Sequence, residues 1–104
     1  MPDIQLIVKA IKETLNPEKI ILFGSYSRGE QTKGSDIDLA VIKKTPFRLG
    51  QRAKVSRYLI NTGYDWKISP DIHIFSEKEF NQRLENNSLF IREIMKGKTI
   101  YAVR

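Results

Sequence analysis

Two aspartates, Asp36 and Asp38, stand two residues apart at the mouth of the apolar run Leu39-Ala40-Val41-Ile42. On a strand, that spacing puts both side chains on one face, with their Cα atoms roughly 6.5 Å apart. Unpaired carboxylates so placed repel, and burial would raise a pKa. A divalent cation resolves the conflict. Mg²⁺ is hard, takes oxygen donors, and is commonly held by one or two carboxylates together with substrate phosphates. Two such ions about 3.5–4 Å apart can bridge an attacking and a leaving oxygen.

Twelve residues upstream of Asp36, Gly24-Ser25 follows the short apolar run Ile20-Ile21-Leu22-Phe23. Glycine lets a backbone approach a ligand with no Cβ in the way. Ser25 offers a hydroxyl, and free amides at the start of a helix bind phosphate. A phosphate grip one strand away from a carboxylate pair suits phosphoryl or nucleotidyl transfer, where catalysis is mostly positioning and charge neutralisation. No Gly-Lys-Ser/Thr follows, so this is not a Walker loop, and it is not a dinucleotide fingerprint. Asp71 is the candidate third carboxylate. It begins the run Asp71-Ile72-His73-Ile74-Phe75, and could help hold an ion and accept the proton of an incoming hydroxyl.

These groups need elements to carry them. Ile4, Ile7, Val8, Ile11 and Leu15 form one stripe, which predicts an amphipathic helix over 3–15, stopped by Asn16-Pro17. A strand follows over 19–23, then a short helix at 25–28 and a polar turn over 29–34. The second strand spans 36–42 and is apolar on both faces towards its end, so it belongs centrally in a sheet covered by helices. Pro46 opens a helix to about Ile60, with Phe47, Ala53, Leu59 and Ile60 as core candidates. Trp66 to Ile68 extends towards Pro70, and the third strand covers 71–75. Ser76 and Glu79 have capping-box spacing, Asn86-Asn87-Ser88 interrupts the helix they start, and a last helix over 89–96 ends at Gly97. Residues 99–103 form a final strand. Helices and strands mix around a small sheet, an α/β (α+β) arrangement.

The 104 residues suit one domain, 1–104, with a single modest core. No apolar stretch is long enough to span a membrane, and Met1-Pro2-Asp3 lacks the basic start of a signal peptide. The chain has no cysteine, which excludes disulfides and thiolate metal sites and fits a cytoplasmic home. Its net charge of +6 is spread along the chain. Such a surface attracts nucleic acid, nucleotides or an acidic protein, or is simply solvated.

Gly24-Ser25-x-x-Arg28-Gly29, followed by Ser35-Asp36-Ile37-Asp38-Leu39 and a later strand Asp71, resembles the minimal nucleotidyltransferases of the DNA polymerase β-type superfamily. The resemblance covers nearly the whole chain and rests on three separated elements, not on one Asp-x-Asp. It implies a small mixed sheet flanked by helices, ATP as nucleotide donor, and Mg²⁺ held by Asp36, Asp38 and Asp71. Gly24 and Ser25 would grip the triphosphate, and Arg28 would contact phosphate or the acceptor. Members of this family often act as antitoxins to a neighbouring HEPN-domain protein, some by attaching AMP to a tyrosine of that toxin and silencing its RNase.

Taken singly, several of these residues have plainer readings. Gly24-Ser25 alone is a turn, Asp71 alone a solvent-facing strand residue, and Arg28 alone a surface ion-pair partner. His73 shares the face of Asp71 and reads as an ordinary strand histidine. Tyr26 and Tyr64 read as surface or edge packing, Trp66 as a core or interface anchor, and Lys43 and Lys44 as solvated. Two functions compete with protein adenylylation: an antitoxin that neutralises its partner by binding alone, and a transferase for a small molecule or RNA. A homo-oligomer is also compatible with the small size.

Overall fold

The computed structural model describes residues 4–44 and 49–103. Its elements are α1 (Ile4–Leu15), β1 (Lys19–Phe23), α2 (Ser25–Arg28), β2 (Ile37–Lys43), α3 (Gln51–Asn61), β3 (Pro70–Ser76), α4 (Glu77–Glu85), α5 (Leu89–Met95) and β4 (Lys98–Ala102). Helix α1 ends where expected. Asn16 takes a left-handed φ of 49°, which asparagine tolerates at a helix C-terminus, and Pro17 prevents continuation.

The four strands form one mixed sheet in the order β3-β2-β1-β4. Strand β1 runs antiparallel to β2 and β4, while β2 and β3 are parallel. Parallel neighbours need a crossover, and α3 supplies it. The register sets the side-chain rows. Phe23 pairs with Asp38, and Asp38 with Asp71; Ile21 pairs with Ala40, and Ala40 with His73.

Period-2 alternation divides the core between the two faces of the sheet. Ile20, Leu22, Ile37, Leu39, Val41 and Ile72 pack with Ile7, Ile11 and Leu15 of α1 and Val55 and Leu59 of α3. Ile21, Phe23, Ala40, Ile42 and Phe75 pack with Phe80 of α4 and Ile91 and Ile94 of α5. Both faces of β2 are thereby covered, as its unbroken apolar run requires. Each fully buried Ile or Leu contributes about 1.5–3 kcal/mol of burial free energy, so neither layer is dispensable.

The structure corrects several sequence expectations. Strand β2 begins at Ile37, not Asp36, because the ladder to β3 starts with the Ile37–Pro70 pair. Helix α3 begins at Gln51, and Pro46 and Phe47 lie outside the described residues. Its buried stripe is Gln51, Val55 and Leu59, at i, i+4 and i+8, which turns Ala53 and Ile60 to solvent. Lys43 is buried rather than solvated, and its Nζ donates to Gln51 Oε1 at 2.8 Å. Residues 66–68 make a bend instead of an extended stretch, with Trp66 at a φ of 59°. The Ser76 cap is present, its hydroxyl accepting from the Glu79 amide at 3.0 Å. Ser88 caps α5 in the same way, accepting from the Ile91 amide.

Candidate active site

Asp38 occupies the second position of β2 and lies on the face covered by α4 and α5. Further along that face Ala40 and Ile42 are sealed by the helices, whereas Asp38 is only half-buried at the open end. Asp71 stands opposite it in the parallel ladder, and His73 follows on the same face. One donor atom from each of Asp38, Asp71 and His73 falls in a group whose members all lie within 4.8 Å of one another. His73 Nε2 lies 3.3 Å from Asp71 Oδ2.

Burial pushes the Asp38 carboxyl above its ordinary pKa, and the Asp71 charge adds to the effect. His73 and Arg28 act in the opposite sense, while Asp36 adds a smaller upward push. Asp36 is therefore within electrostatic reach of Asp38. It is exposed at the lip of the site, just before the ladder, and outside the 4.8 Å donor group.

The loop after β1 closes against Asp38. Gly24 has φ 74° and ψ −159°, a region that only glycine populates readily. A Cβ built there would lie 2.3 Å from Asp38 Oδ2. The Gly24 carbonyl accepts from the Ser27 amide at 3.1 Å and from the Ser27 hydroxyl at 2.7 Å, which fixes the turn into α2. Gly29, in a left-handed conformation, ends that helix after one turn.

Phe23, Gly24, Ser25, Arg28 and Asp38 form one side of a cleft of about 590 Å³, and Phe90, Glu93 and Lys96 form the other. That volume suits a nucleotide-sized ligand. Arg28 bridges the two sides, bonded through Nε to Glu30 and lying 3.7 Å from Glu93. The Phe90 ring meets His73 edge-on at 5.0 Å and Phe23 at 5.7 Å, so three rings pack beside the acids.

The structure thus brings together Gly24, Ser25, Arg28 and Asp38 around the cleft, with Asp71 beside Asp38. Tyr26 and Tyr64 instead pack with the α1–α3 core, where the Tyr64 hydroxyl donates to the Ile68 carbonyl. Phe90, Glu93 and Lys96 escaped the sequence reading. They recur every three residues on α5 and its end, but no local motif marks them. Only the docking of α5 against β1 brings them to the site. Gly97 makes that docking possible, since a Cβ there would lie 2.3 Å from the Leu22 carbonyl oxygen.

The donor chemistry suits a hard divalent cation. Two carboxylates face each other, and burial first, with the Asp71 charge second, disfavours Asp38 as an anion.

The family model for the nucleotidyltransferase domain matches residues 4–101. Protein MJ0141 of Methanocaldococcus jannaschii, whose name assigns it to the protein adenylyltransferases, is 34% identical over 77 residues, covering 64% of this chain and 76% of that protein. MntA of Haemophilus influenzae, also assigned by name to the protein adenylyltransferases, is 27% identical over 95 residues, 90% of this chain and 82% of that protein. A crystal structure of a toxin–antitoxin with AMP-PNP superposes with a TM-score of 0.68 at 23% identity, covering 98% of this chain and 75% of that one, a likeness of fold. With the match running from α1 to β4, the chain belongs to the nucleotidyltransferase family.

Proposed function

We propose that this chain moves AMP from ATP to a hydroxyl of a partner protein, a tyrosine of a HEPN-domain toxin, and so acts as an antitoxin. The observation that carries the reading is the row Asp38–Asp71 closed off by Gly24, with Ser25 and Arg28 on the same cleft. The names of the relatives support protein adenylylation, and the toxin–antitoxin fold neighbour supports a toxin partner and an adenine nucleotide.

In this reading the Gly24–Ser25 turn receives the triphosphate. Gly24 admits the phosphates close to the backbone, Ser25 offers its hydroxyl, and Arg28 exchanges its glutamate partners for phosphate oxygens. Asp38 and Asp71, joined by Asp36 at the lip, would hold Mg²⁺, as one ion or as two. When bound, Mg²⁺ supplies charge neutralisation at the transferring phosphate and lowers the pKa of an oxygen it contacts. Asp71 accepts the proton of the tyrosine hydroxyl. The phenolate oxygen then forms its bond to the α-phosphorus as the bond to the β-phosphate oxygen breaks, and pyrophosphate leaves towards the Gly24 turn and Arg28.

The relatives' names favour a protein acceptor over a small molecule. The described residues share one sheet and its flanking helices, which supports a single minimal domain; none of the described helices is long and apolar enough to cross a membrane.

Incubation with α-³²P-ATP, Mg²⁺ and the product of the neighbouring gene tests the reading. Label on a tyrosine of that protein is expected, with none when Asp38→Asn replaces wild type. Tight co-purification with no label transfer would overturn catalysis in favour of neutralisation by binding.

A further inference from the structure

His73 is the only histidine in the chain, and the transfer chemistry above gives it no part. Its position is nonetheless specific. Asp71 and His73 are two apart on β3 and share a face. Asp38 lies across the ladder from Asp71, while Ala40, the smallest residue in its strand, lies across from His73. The imidazole is packed against two other rings, Phe23 at 5.6 Å and Phe90 at 5.0 Å, which also touch each other. Rings held in this way leave the imidazole few orientations. In the one adopted, Nε2 points to the acids, 3.3 Å from Asp71 Oδ2.

We propose that His73 supplies a nitrogen donor to the cation site formed by Asp38 and Asp71, and that this site prefers Mn²⁺ to Mg²⁺. The proposal rests on the reading of Asp38 and Asp71 as cation ligands. Two observations support it. All three donor atoms lie within 4.8 Å of one another. The 3.3 Å between Nε2 and Oδ2 is also close to the separation of adjacent donors around a six-coordinate ion, roughly 3 Å for bonds of about 2.1 Å. Mg²⁺ strongly favours oxygen, whereas imidazole nitrogen is a better ligand for first-row transition ions. One nitrogen beside two carboxylates therefore shifts the balance towards Mn²⁺, while the carboxylates still allow Mg²⁺ to bind. Phe23 and Phe90 serve as positioning residues that hold the ring towards the ion.

A single histidine makes the test selective. Wild-type protein is loaded with Mn²⁺, alone and with α,β-methylene-ATP, and examined by pulsed EPR after growth with natural or ¹⁵N-labelled histidine. The expected result is a nitrogen coupling of directly bound imidazole that changes from the ¹⁴N to the ¹⁵N pattern. In parallel calorimetry, His73→Ala should lower Mn²⁺ affinity about tenfold or more and Mg²⁺ affinity much less. Bound Mn²⁺ with no histidine coupling, and with affinities unchanged in His73→Ala, would overturn the proposal while leaving the aspartate site intact. Failure of wild type to hold either ion, with Asp38→Asn no different, would overturn both. The EPR arm needs no variant, so a folding defect in His73→Ala does not blunt it.

Discussion

A Cβ on Gly24 would lie 2.3 Å from Oδ2 of Asp38, so the turn proposed to grip phosphate and the acid proposed to hold the metal share one contact surface. The turn cannot take any other residue without displacing the carboxylate. Gly24→Ala is therefore expected to lose about 10²-fold or more in AMP transfer, the scale of a misplaced reacting group. It should also cost about 1–3 kcal/mol of stability, because φ 74° with ψ −159° is a glycine conformation. Radiolabel transfer and thermal melts measure the two effects. Wild-type activity in Gly24→Ala would sink the placement of the triphosphate.

Asp38 and Asp71 face each other across the β2–β3 ladder. Replacing either by Asn should cut transfer by about 10²-fold or more, as for loss of a group that stabilises transition-state charge. Stability should move the other way. Burial and Asp71 both disfavour the Asp38 anion, so in metal-free protein Asp38→Asn removes an unfavourable charge and should melt higher than wild type. Added Mg²⁺ should raise the wild-type melting temperature and leave that of Asp38→Asn nearly unchanged. Equal stabilisation of both proteins would count against the site.

Arg28 lies on the cleft, bonded to Glu30 and 3.7 Å from Glu93. Its side chain is half exposed, and ion pairs so open to solvent contribute little to stability. Arg28→Ala should therefore leave the melting temperature nearly unchanged while raising KM for ATP about tenfold, the worth of one charged hydrogen bond. Steady-state kinetics at fixed ionic strength would separate this from a purely structural role.

Gly97 lets the end of α5 press on β1, with no room for a Cβ beside the Leu22 carbonyl. Gly97→Ala should destabilise the fold by about 1–3 kcal/mol through overpacking. It should also weaken transfer, because α5 carries Phe90 into the site. Unfolding curves and labelled-ATP assays on the same preparation test whether the two losses travel together.

Ser76 caps α4 at the far end of β3 from Asp71. Ser76→Ala should cost about 1 kcal/mol, lowering the melting temperature by about 4–8 °C with transfer at 25 °C unchanged. A matching drop in activity would mean that the cap reaches the site.

Much of this protein is legible locally. The stripe of α1, the apolar run of β2, the Ser76 cap, the break at Asn86-Asn87-Ser88 and the stops at Asn16-Pro17 and Gly97 all follow from spacing and backbone preference, which act within a few residues. In α3 the expected Leu59 is buried, but residues four apart share a helix face, so the stripe runs through Val55 and Gln51 and leaves Ala53 and Ile60 in solvent. Lys43 was misread because a charged side chain is buried only when a distant partner is supplied, here Gln51 of α3.

For the site, sequence alone named the candidates: Gly24, Ser25, Asp36 and Asp38 through residue type and short-range spacing, and Arg28 and Asp71 with the help of the family resemblance. Tertiary structure decided which of them meet. The parallel register of β2 and β3 sets Asp71 opposite Asp38, leaves Asp36 at the lip, and places His73 beside the pair. The docking of α5 adds Phe90, Glu93 and Lys96. Strand pairing and helix docking join residues tens of positions apart, and a one-residue slip in register would send these side chains to the other face.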